Sequence, residues 1–395
     1  MAYRVTVLVL GDVGRSPRMA NHALALAEDG AEVALVGYCE SPLDGAVAGH
    51  PRIRVVAIKP LGRAGPGASR LQFLLRASLR SGYLLLQTLW ALLARTRRPS
   101  AVLVQNPPSV PTLLVAWVSA RVRGASFVID WHNFGYSMLA LRLGSSHIAV
   151  RLSKIWEGTL GRRADVHFCV SEAMRDALAR EFGLAGPIVL YDRPRVYPPL
   201  VPMSARGGFA LAVCPTSWTA DEDMDLLLEG LRLWDAGPAR GPRLVVVITG
   251  RGPRRAAFEA RLAGIEWRRV EVRTAFLEPG EYRVLLGSAH FGISMHRSSS
   301  GVDLPMKVVD LFGARTPVCA LDYGPCIAEQ VLAGVTGVLF RDAAGLAACI
   351  ERLLDVRALE EMQANIAARW TETWGEAWRR LARPVFGQAG TPAQH

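Results

Sequence analysis

Residues 298–313, SSSGVDLPMKVVDLFG, combine groups that bind phosphate with groups that bind sugar. Ser298, Ser299 and Ser300 run into Gly301. The spacing predicts a helix with Pro305 in its first turn, where a missing N–H costs nothing, and a stop at Gly313. A helix N-terminus offers unpaired N–H groups and the positive end of a dipole, a natural seat for phosphate. Lys307 adds a positive charge. Asp303, Lys307 and Asp310 fall at i, i+4 and i+7 and so share one helix face, where the two carboxylates can accept hydrogen bonds from sugar hydroxyls. Phosphate and sugar groups together point to a nucleotide-sugar donor. The plainer alternative is a capped helix with a solvated Asp–Lys–Asp stripe.

Three other segments carry related chemistry. GDVGRSPRM (11–19) follows an apolar run and holds Asp12, Gly14, Arg15 and Arg18; its two arginines either grip a diphosphate or face water. The loop is not GxGxxG and no ribose-binding acid follows in context, so a dinucleotide dehydrogenase is a poor match. SFVIDWHN (126–133) delivers Asp130, Trp131, His132 and Asn133 at its carboxyl end, where ligands bind in open α/β sheets. His132 beside Asp130 reads as an acid/base pair, as a holder of a sugar hydroxyl, or as a structural histidine. RLVVVITG (243–250) ends in Gly250-Arg251-Gly252-Pro253, and Arg251, always charged and forked, suits a diphosphate. Asp221, Glu222, Asp223 and Asp225 crowd together, but a helix dipole alone favours acids in a first turn and Thr219–Glu222 reads as a capping box. No metal site is expected there.

The elements that must position these residues follow from periodicity. Apolar runs at 4–10, 32–38, 53–58, 101–105, 126–133, 166–171 and 187–192 read as buried parallel-type strands with helices between them. QNPP (105–108) stops its strand with a proline pair. A second series runs through 209–217, 243–250, 270–276, 290–296, 317–322 and 337–340. The chain thus divides into an N-terminal Rossmann-like domain (1–192), a proline-rich linker (193–208), a second Rossmann-like domain (209–357), and one long helix (358–386) packing back toward the first domain, with Trp370, Trp374 and Trp378 on one face. A disordered tail (387–395) follows. Site elements in both halves point to a cleft between domains.

Composition narrows the class. The 395 residues are 50% hydrophobic and 21% charged, enough for a large core and too apolar for disorder. A net charge of +11 and a pI near 9.8 suit a polyanion or an anionic membrane surface. Nucleic acid is not expected, since zinc spacings, RNP-type aromatics and a basic helix are missing. Six scattered cysteines without a CxxC read as buried thiols in a reducing compartment. Met1–Leu10 runs straight into a strand pattern, so a signal peptide is not expected. Residues 81–94, SGYLLLQTLWALLA, are flanked by arginines and either rest on a bilayer surface or form a core helix.

GDVGRSPRM, QNPP, VIDWHN, TSWTADED (216–223), ITGRGP (248–253) and SSSGVDLPMKVVDLFG, in this order, resemble the motifs of the chitobiosyldiphosphodolichol β-mannosyltransferases, glycosyltransferase family 33. The resemblance implies an α/β fold of GT-B type, with two Rossmann-like domains facing a cleft. It implies inverting transfer of mannose from GDP-mannose to the terminal N-acetylglucosamine of a lipid-diphosphate chitobiose, on the cytosolic face of a membrane. On that pattern the donor is held by Arg251, Gly252, Ser299, Ser300, Gly301, Asp303, Lys307 and Asp310, and the acceptor by Gly14, Arg15, Arg18, Asn106 and Asn133. Asp12 and His132 both stand as candidates for the general base. No bound cofactor is expected, and Mg2+ is dispensable because two cations and a helix end offset the diphosphate. Expected partners are the nucleotide sugar, the lipid-linked acceptor, an anionic membrane surface and other glycosyltransferases. Eukaryotic members resemble one another in an N-terminal transmembrane anchor, whereas here the first strand starts almost at Met1; a peripheral membrane enzyme, or a relative with another polyprenyl-linked acceptor, is expected. The alternatives are a hexosyltransferase of the same fold with another nucleotide sugar or a soluble acceptor, and a non-catalytic scaffold of a membrane glycosylation complex.

Overall fold

The computed structural model describes residues 3–59, 70–194, 208–238 and 241–387, and the side chains of all of these but 70–81. The loop 60–68, most of the linker expected at 193–208 and the tail beyond Gly387 lie outside the described residues. The chain divides into two compact units, Met1–Tyr191 with Gly375–His395, and Asp192–Trp374.

The first unit is a seven-stranded parallel sheet of β1 (Arg4–Asp12), β2 (Glu32–Tyr38), β3 (Ile53–Ala57), β4 (Ala101–Asn106), β5 (Ser126–Trp131), β6 (Val166–Cys169) and β7 (Ile188–Val189), in the order β3-β2-β1-β4-β5-β6-β7. Its strands read as unbroken apolar runs because helices cover both faces; every residue from Val5 to Leu10 and from Phe127 to Trp131 is buried. The helices are α1 (Pro17–Glu28), α2 (Gly45–Ala48), α3 (Arg70–Ala94), α4 (Thr112–Arg123), α5 (Gly135–Leu143), α6 (Ile148–Gly161) and α7 (Glu172–Phe182). Their ends carry local signals. Pro17 opens α1, Ser171 caps α7 by accepting the Met174 N–H at 3.0 Å, and Gly124 and Gly183 close α4 and α7 in the left-handed region, where a glycine carries no Cβ penalty.

The second unit is a six-stranded parallel sheet of β8 (Phe209–Pro215), β9 (Arg243–Thr249), β10 (Val270–Ala275), β11 (Phe291–Ser294), β12 (Val318–Leu321) and β13 (Gly337–Phe340), ordered β10-β9-β8-β11-β12-β13. Alternate residues of β8 enter separate apolar clusters: Ala210, Ala212 and Cys214 in one, Leu211 and Val213 in the other. The helices are α8 (Met224–Ala236), α9 (Arg255–Leu262), α10 (Pro279–Ser288), α11 (Met306–Gly313), α12 (Ile327–Gln330), α13 (Ala343–Leu353) and α14 (Val356–Arg369).

The segment expected as one long helix is broken. After α14 the chain is irregular before α15 (Trp374–Leu381) and α16 (Arg383–Gly387). The tryptophans therefore do not share a face. Trp370 packs on Phe312 and lies beneath Arg193 in the second unit. Trp378 is fully buried in the first unit, stacked on Phe386, which in turn stacks on Phe168.

Strand order reverses between β1 and β4 in the first sheet and between β8 and β11 in the second. Loops leaving the carboxyl ends of such strands diverge and open a crevice.

Candidate active site

In the first unit the polar centre is Asp130, fully buried at the end of β5. Arg18, 3% exposed, grips it with Nε to Oδ2 at 2.8 Å and Nη2 to Oδ1 at 2.8 Å, and donates Nη1 to the Leu190 carbonyl at 2.6 Å. His22 and His132 bring their Nε2 atoms to Asp130 Oδ2 at 3.2 and 2.9 Å. Trp378 Nε1 donates to His22 Nδ1 at 3.1 Å, so the His22 proton sits on Nε2, toward the carboxylate. Burial keeps His22 neutral, pushing its pKa down against the pull of Asp130. Burial also works against the charge on Asp130, but Arg18 first and then His132 hold its carboxyl well below the usual range. His132 alone of this group is partly exposed, at 19% of its side chain. With Nε2 directed to Asp130, its Nδ1 is the nitrogen left to take a proton.

The loop after β1 is a clamp. Asp12 Oδ1 accepts the backbone N–H groups of Gly14, Glu40 and Ser41 at 3.2–3.3 Å, while its Oδ2 is buried without a partner. Burial raises the Asp12 pKa, but the hydrogen bonds from Ser41, Glu40 and Gly14 outweigh it and hold the carboxyl below its ordinary value. Gly14 fits because a Cβ there would stand 2.6 Å from the Ser41 carbonyl. Arg15 is exposed and pairs with no carboxylate among the described residues. Asn106 is fully buried and donates Nδ2 to Glu157 Oε1 at 2.8 Å and to the Asn133 carbonyl at 3.2 Å. Glu157 also accepts the Gly135 and Tyr136 N–H groups at 2.8 and 3.0 Å, and Asn133 Oδ1 accepts the Phe134 N–H at 2.7 Å.

In the second unit the β8–β11 crevice brings 216–223 against 295–303: the Arg297 N–H donates to the Asp221 carbonyl at 2.7 Å, and the Glu222 and His296 backbones pair in a single antiparallel bridge. Glu222, 2% exposed, is the hub. Its Oε1 accepts Lys307 Nζ, and its Oε2 accepts Thr216 Oγ1, the Ser217 N–H at 2.8 Å and the Thr219 N–H at 3.5 Å. His296 sits between two carboxylates, with Nδ1 3.5 Å from Asp221 Oδ2 and Nε2 3.0 Å from Asp303 Oδ2. Burial opposes its charge, yet the bonds to Asp221 and Asp303 win and raise its pKa to about 9. Asp221, bonded to that imidazolium, is pushed far below the usual carboxylate range even though burial opposes it. Asp303 also accepts Ser298 Oγ, and Ser298 Oγ accepts the Gly301 N–H at 2.8 Å.

Gly250 and Gly252 press the turn after β9 onto this loop. A Cβ at either would meet the Thr216 or Ser217 carbonyl within 2 Å (1.8 and 1.9 Å), and Gly250 has φ 122°. Arg251, between them, is exposed and lies over the Phe276 ring at 3.5 Å.

Several expectations need correction. Arg18 and Asn106, both expected to hold the acceptor, are buried: Arg18 is bonded to Asp130 and the Leu190 carbonyl, and Asn106 gives its Nδ2 to Glu157 and Asn133 while its Oδ1 meets no partner. Asp303 is not on the helix: α11 starts at Met306 with Pro305 as its cap, and Asp303 ties down the serine turn. The Gly301 N–H is committed to Ser298. Lys307 opens α11 as expected but is paired with Glu222. Asp310 lies on the same helix and accepts from Tyr282 Oη at 3.5 Å. The capping box at Thr219 is half formed, since α8 starts at Met224 with Asp223 as its cap. Glu222 and His296 are the residues sequence reasoning missed. Their signal was position, at the carboxyl edges of β8 and β11. Among the described residues no group of three or more His, Cys, Asp or Glu is placed to hold a metal. No helix of the described residues is long and apolar enough to cross a membrane, and all six cysteines are free, with only Cys39 exposed.

A family model for the glycosyl transferase 4-like domain matches residues 14–191. Among curated proteins, the chain is 34% identical to mouse chitobiosyldiphosphodolichol beta-mannosyltransferase, covering 100% of this chain and 91% of that one. The enzyme of the same name from Yarrowia lipolytica is 36% identical over 97% of this chain and 86% of its own. The chain belongs to the chitobiosyldiphosphodolichol beta-mannosyltransferase family. It is a glycosyltransferase of two Rossmann-like units, the GT-B class. A third relative, UDP-glycosyltransferase TURAN from Arabidopsis thaliana, is 33% identical over 98% of both chains. Solved structures agree on the fold. A glycosyltransferase from Rickettsia africae has a TM-score of 0.67 at 13% identity, covering 99% of this chain and 100% of that one. Anabaena HepE in complex with UDP and glucose has a TM-score of 0.64 at 13% identity, covering 98% and 99%.

Proposed function

We propose that this family member transfers mannose from GDP-mannose, with inversion, to the terminal N-acetylglucosamine of a polyprenyl- or dolichyl-diphosphate chitobiose, forming a β-1,4 linkage. It works as a peripheral protein on the cytoplasmic side of a membrane, alongside other enzymes of lipid-linked oligosaccharide assembly. The observation that carries the reading is His132, standing at the carboxyl end of β5 with buried Asp130 behind its Nε2, in a chain that matches mannosyltransferases over its full length.

The acceptor hydroxyl attacks the anomeric carbon as the bond from that carbon to the diphosphate oxygen breaks. His132 Nδ1 takes the hydroxyl proton, and Asp130 steadies the imidazolium that forms, as an acid behind a catalytic histidine does. Asp12, its Oδ1 shared among three N–H groups, acts instead by holding the loop against which the acceptor rests. Arg15, exposed in that loop, meets the acceptor diphosphate. GDP leaves against Arg251 and Lys307, with Glu222 giving up part of its hold on Lys307 as the phosphates arrive. Asp310 and the 298–301 turn orient sugar hydroxyls. These groups offset the leaving charge without a metal.

The test is GDP release from GDP-mannose by purified protein, with and without a phytanyl-diphosphate chitobiose acceptor. Acceptor-dependent release with a β-linked trisaccharide product is expected. His132→Ala should lower it about 10²–10⁴-fold while GDP still protects the protein against unfolding; normal turnover in that variant would remove His132 from the mechanism. A second reading, a UDP-sugar donor, is favoured by the name of the Arabidopsis relative. Release of UDP rather than GDP in the same assay would select it.

A further inference from the structure

The helical hairpin that follows β5 carries an apolar stripe on the outside. On α6, Ile148, Leu152 and Ile155 recur at i, i+4 and i+7 and are 59%, 58% and 63% exposed. On α5, Met138, Leu141 and Leu143 are 46%, 57% and 44% exposed. Surface helices of a globular domain normally turn such a stripe to the core. Here the core side of α6 is a different set, Val150, Glu157, Gly158, Leu160 and Gly161. The two helices pack on each other, so six large apolar side chains share one hairpin. Beside them opens a groove of about 780 Å3, lined on the hairpin side by Met138, Leu139, Leu152 and Trp156. Exposed apolar clusters of this kind mark interaction surfaces.

Charge selects the occupant. Between Gly135 and Gly161 the exposed charges are all positive, Arg142, Arg151 and Lys154, and the sole carboxylate, Glu157, is fully buried. Lys154 pairs with Glu181 at 2.7 Å, whereas Arg142 and Arg151 pair with no carboxylate among the described residues. A second copy of the chain would set these cations against each other. An anionic bilayer accepts both kinds of group at once, the apolar stripe at the acyl boundary and the guanidinium groups among the phosphates. We propose that the α5–α6 hairpin is the surface by which this protein docks on a bilayer containing anionic lipid.

His132 lies three residues before α5 begins, at most about 10 Å of chain. A docked hairpin therefore keeps the base near headgroup depth, where a lipid-linked diphosphate would sit. That last link rests on the proposed transfer reaction; the docking does not.

The test is co-sedimentation of the full chain with vesicles of phosphatidylcholine alone and of phosphatidylcholine with phosphatidylglycerol, with no acceptor present. The parent should bind the mixed vesicles and leave the neutral ones. Leu152→Ser with Ile155→Ser should weaken partition about tenfold or more. Arg142→Glu with Arg151→Glu should weaken it about as much and remove its salt dependence. All four positions are exposed, so thermal midpoints should match the parent. Partition unchanged in both double variants would overturn the proposal. So would a dimer that the same substitutions dissociate, which would assign the face to a second copy. Because the vesicles carry no sugar acceptor, failure here leaves the transfer reaction standing, and failed transfer leaves the docking standing.

Discussion

Asp130 in the first unit and the Asp221–Asp303 pair in the second each hold histidine at the carboxyl edge of a parallel sheet, and the two centres reach opposite charge states. Around Asp130 the carboxylate is already matched by Arg18, which makes two parallel hydrogen bonds at 2.8 Å. His22 then gains too little from the same carboxylate to offset its burial, and it stays neutral. His296 meets two carboxylates, Asp221 and Asp303, one at each ring nitrogen, and its pKa rises to about 9. The identity of the residues does not decide between a neutral histidine and a cation. The decision rests on what else the carboxylate is bonded to. The first carboxylate leaves His22 neutral, and the second pair holds His296 as a cation that ties the 216–223 loop to the turn before α11.

The largest effects should come from breaking the first centre. Asp130→Asn strands the buried Arg18 charge, a loss of about 3–5 kcal/mol in folding stability, read from urea unfolding. His132→Ala should leave the urea midpoint nearly unchanged while turnover falls about 10²–10⁴-fold; equal stability losses in the two variants would erase the distinction drawn between scaffold and base.

In the second centre the sign of the pH response is opposite to that of a depressed carboxylate. The folded pKa of His296, about 9, lies above its ordinary 6.5. Its stabilisation is therefore fully present below pH 6.5 and is lost as pH rises through 9. Urea midpoints measured across that window should fall in the parent and flatten in His296→Gln. A parent curve already flat there would mean an uncharged His296.

Smaller effects sharpen the assignment of cations. A double-mutant cycle on Lys307→Met and Glu222→Gln should return a coupling of about 0.5–3 kcal/mol, since both groups lie in one network. Arg251→Ala should weaken GDP about tenfold, the scale of one charge-assisted hydrogen bond, with little change in stability. Smallest of all, Asp12→Asn should be close to silent, because the amide oxygen can still accept the three N–H groups. Asp12→Ala should cost about 1–3 kcal/mol through the loop. If turnover collapses in Asp12→Asn with stability intact, the base is Asp12.

The strands were legible one by one. Each is a short apolar run ended by glycine, proline or a polar residue, and a sheet covered on both faces demands that composition. β9 reads as RLVVVIT and β13 as GVLF without reference to anything distant. The serine–glycine turn and Lys307 at the head of α11 were legible for the same local reason. Arg18 was not. Pro17 starts α1, so Arg18 lies in its first turn and reaches a carboxylate 112 residues away, a partner no local pattern reveals. Glu222 was hidden in a different way, among acids that a helix dipole explains equally well. Its bonds from Thr216, Ser217 and, 85 residues on, Lys307 separate it from its neighbours.

By itself, the sequence determined the alternation of strand and helix, the places where each strand stops, and the stock of cations, carboxylates and hydroxyls at those stops. These are properties of a few adjacent residues, set by backbone sterics, side-chain burial and turn chemistry. The tertiary structure decided which of those groups are free to act. Strand order places the 216–223 loop beside 295–303 and brings Arg18 and His22 against Asp130. A group's charge state and availability depend on partners within a few ångströms, and in a parallel sheet with long crossovers those partners come from far along the chain.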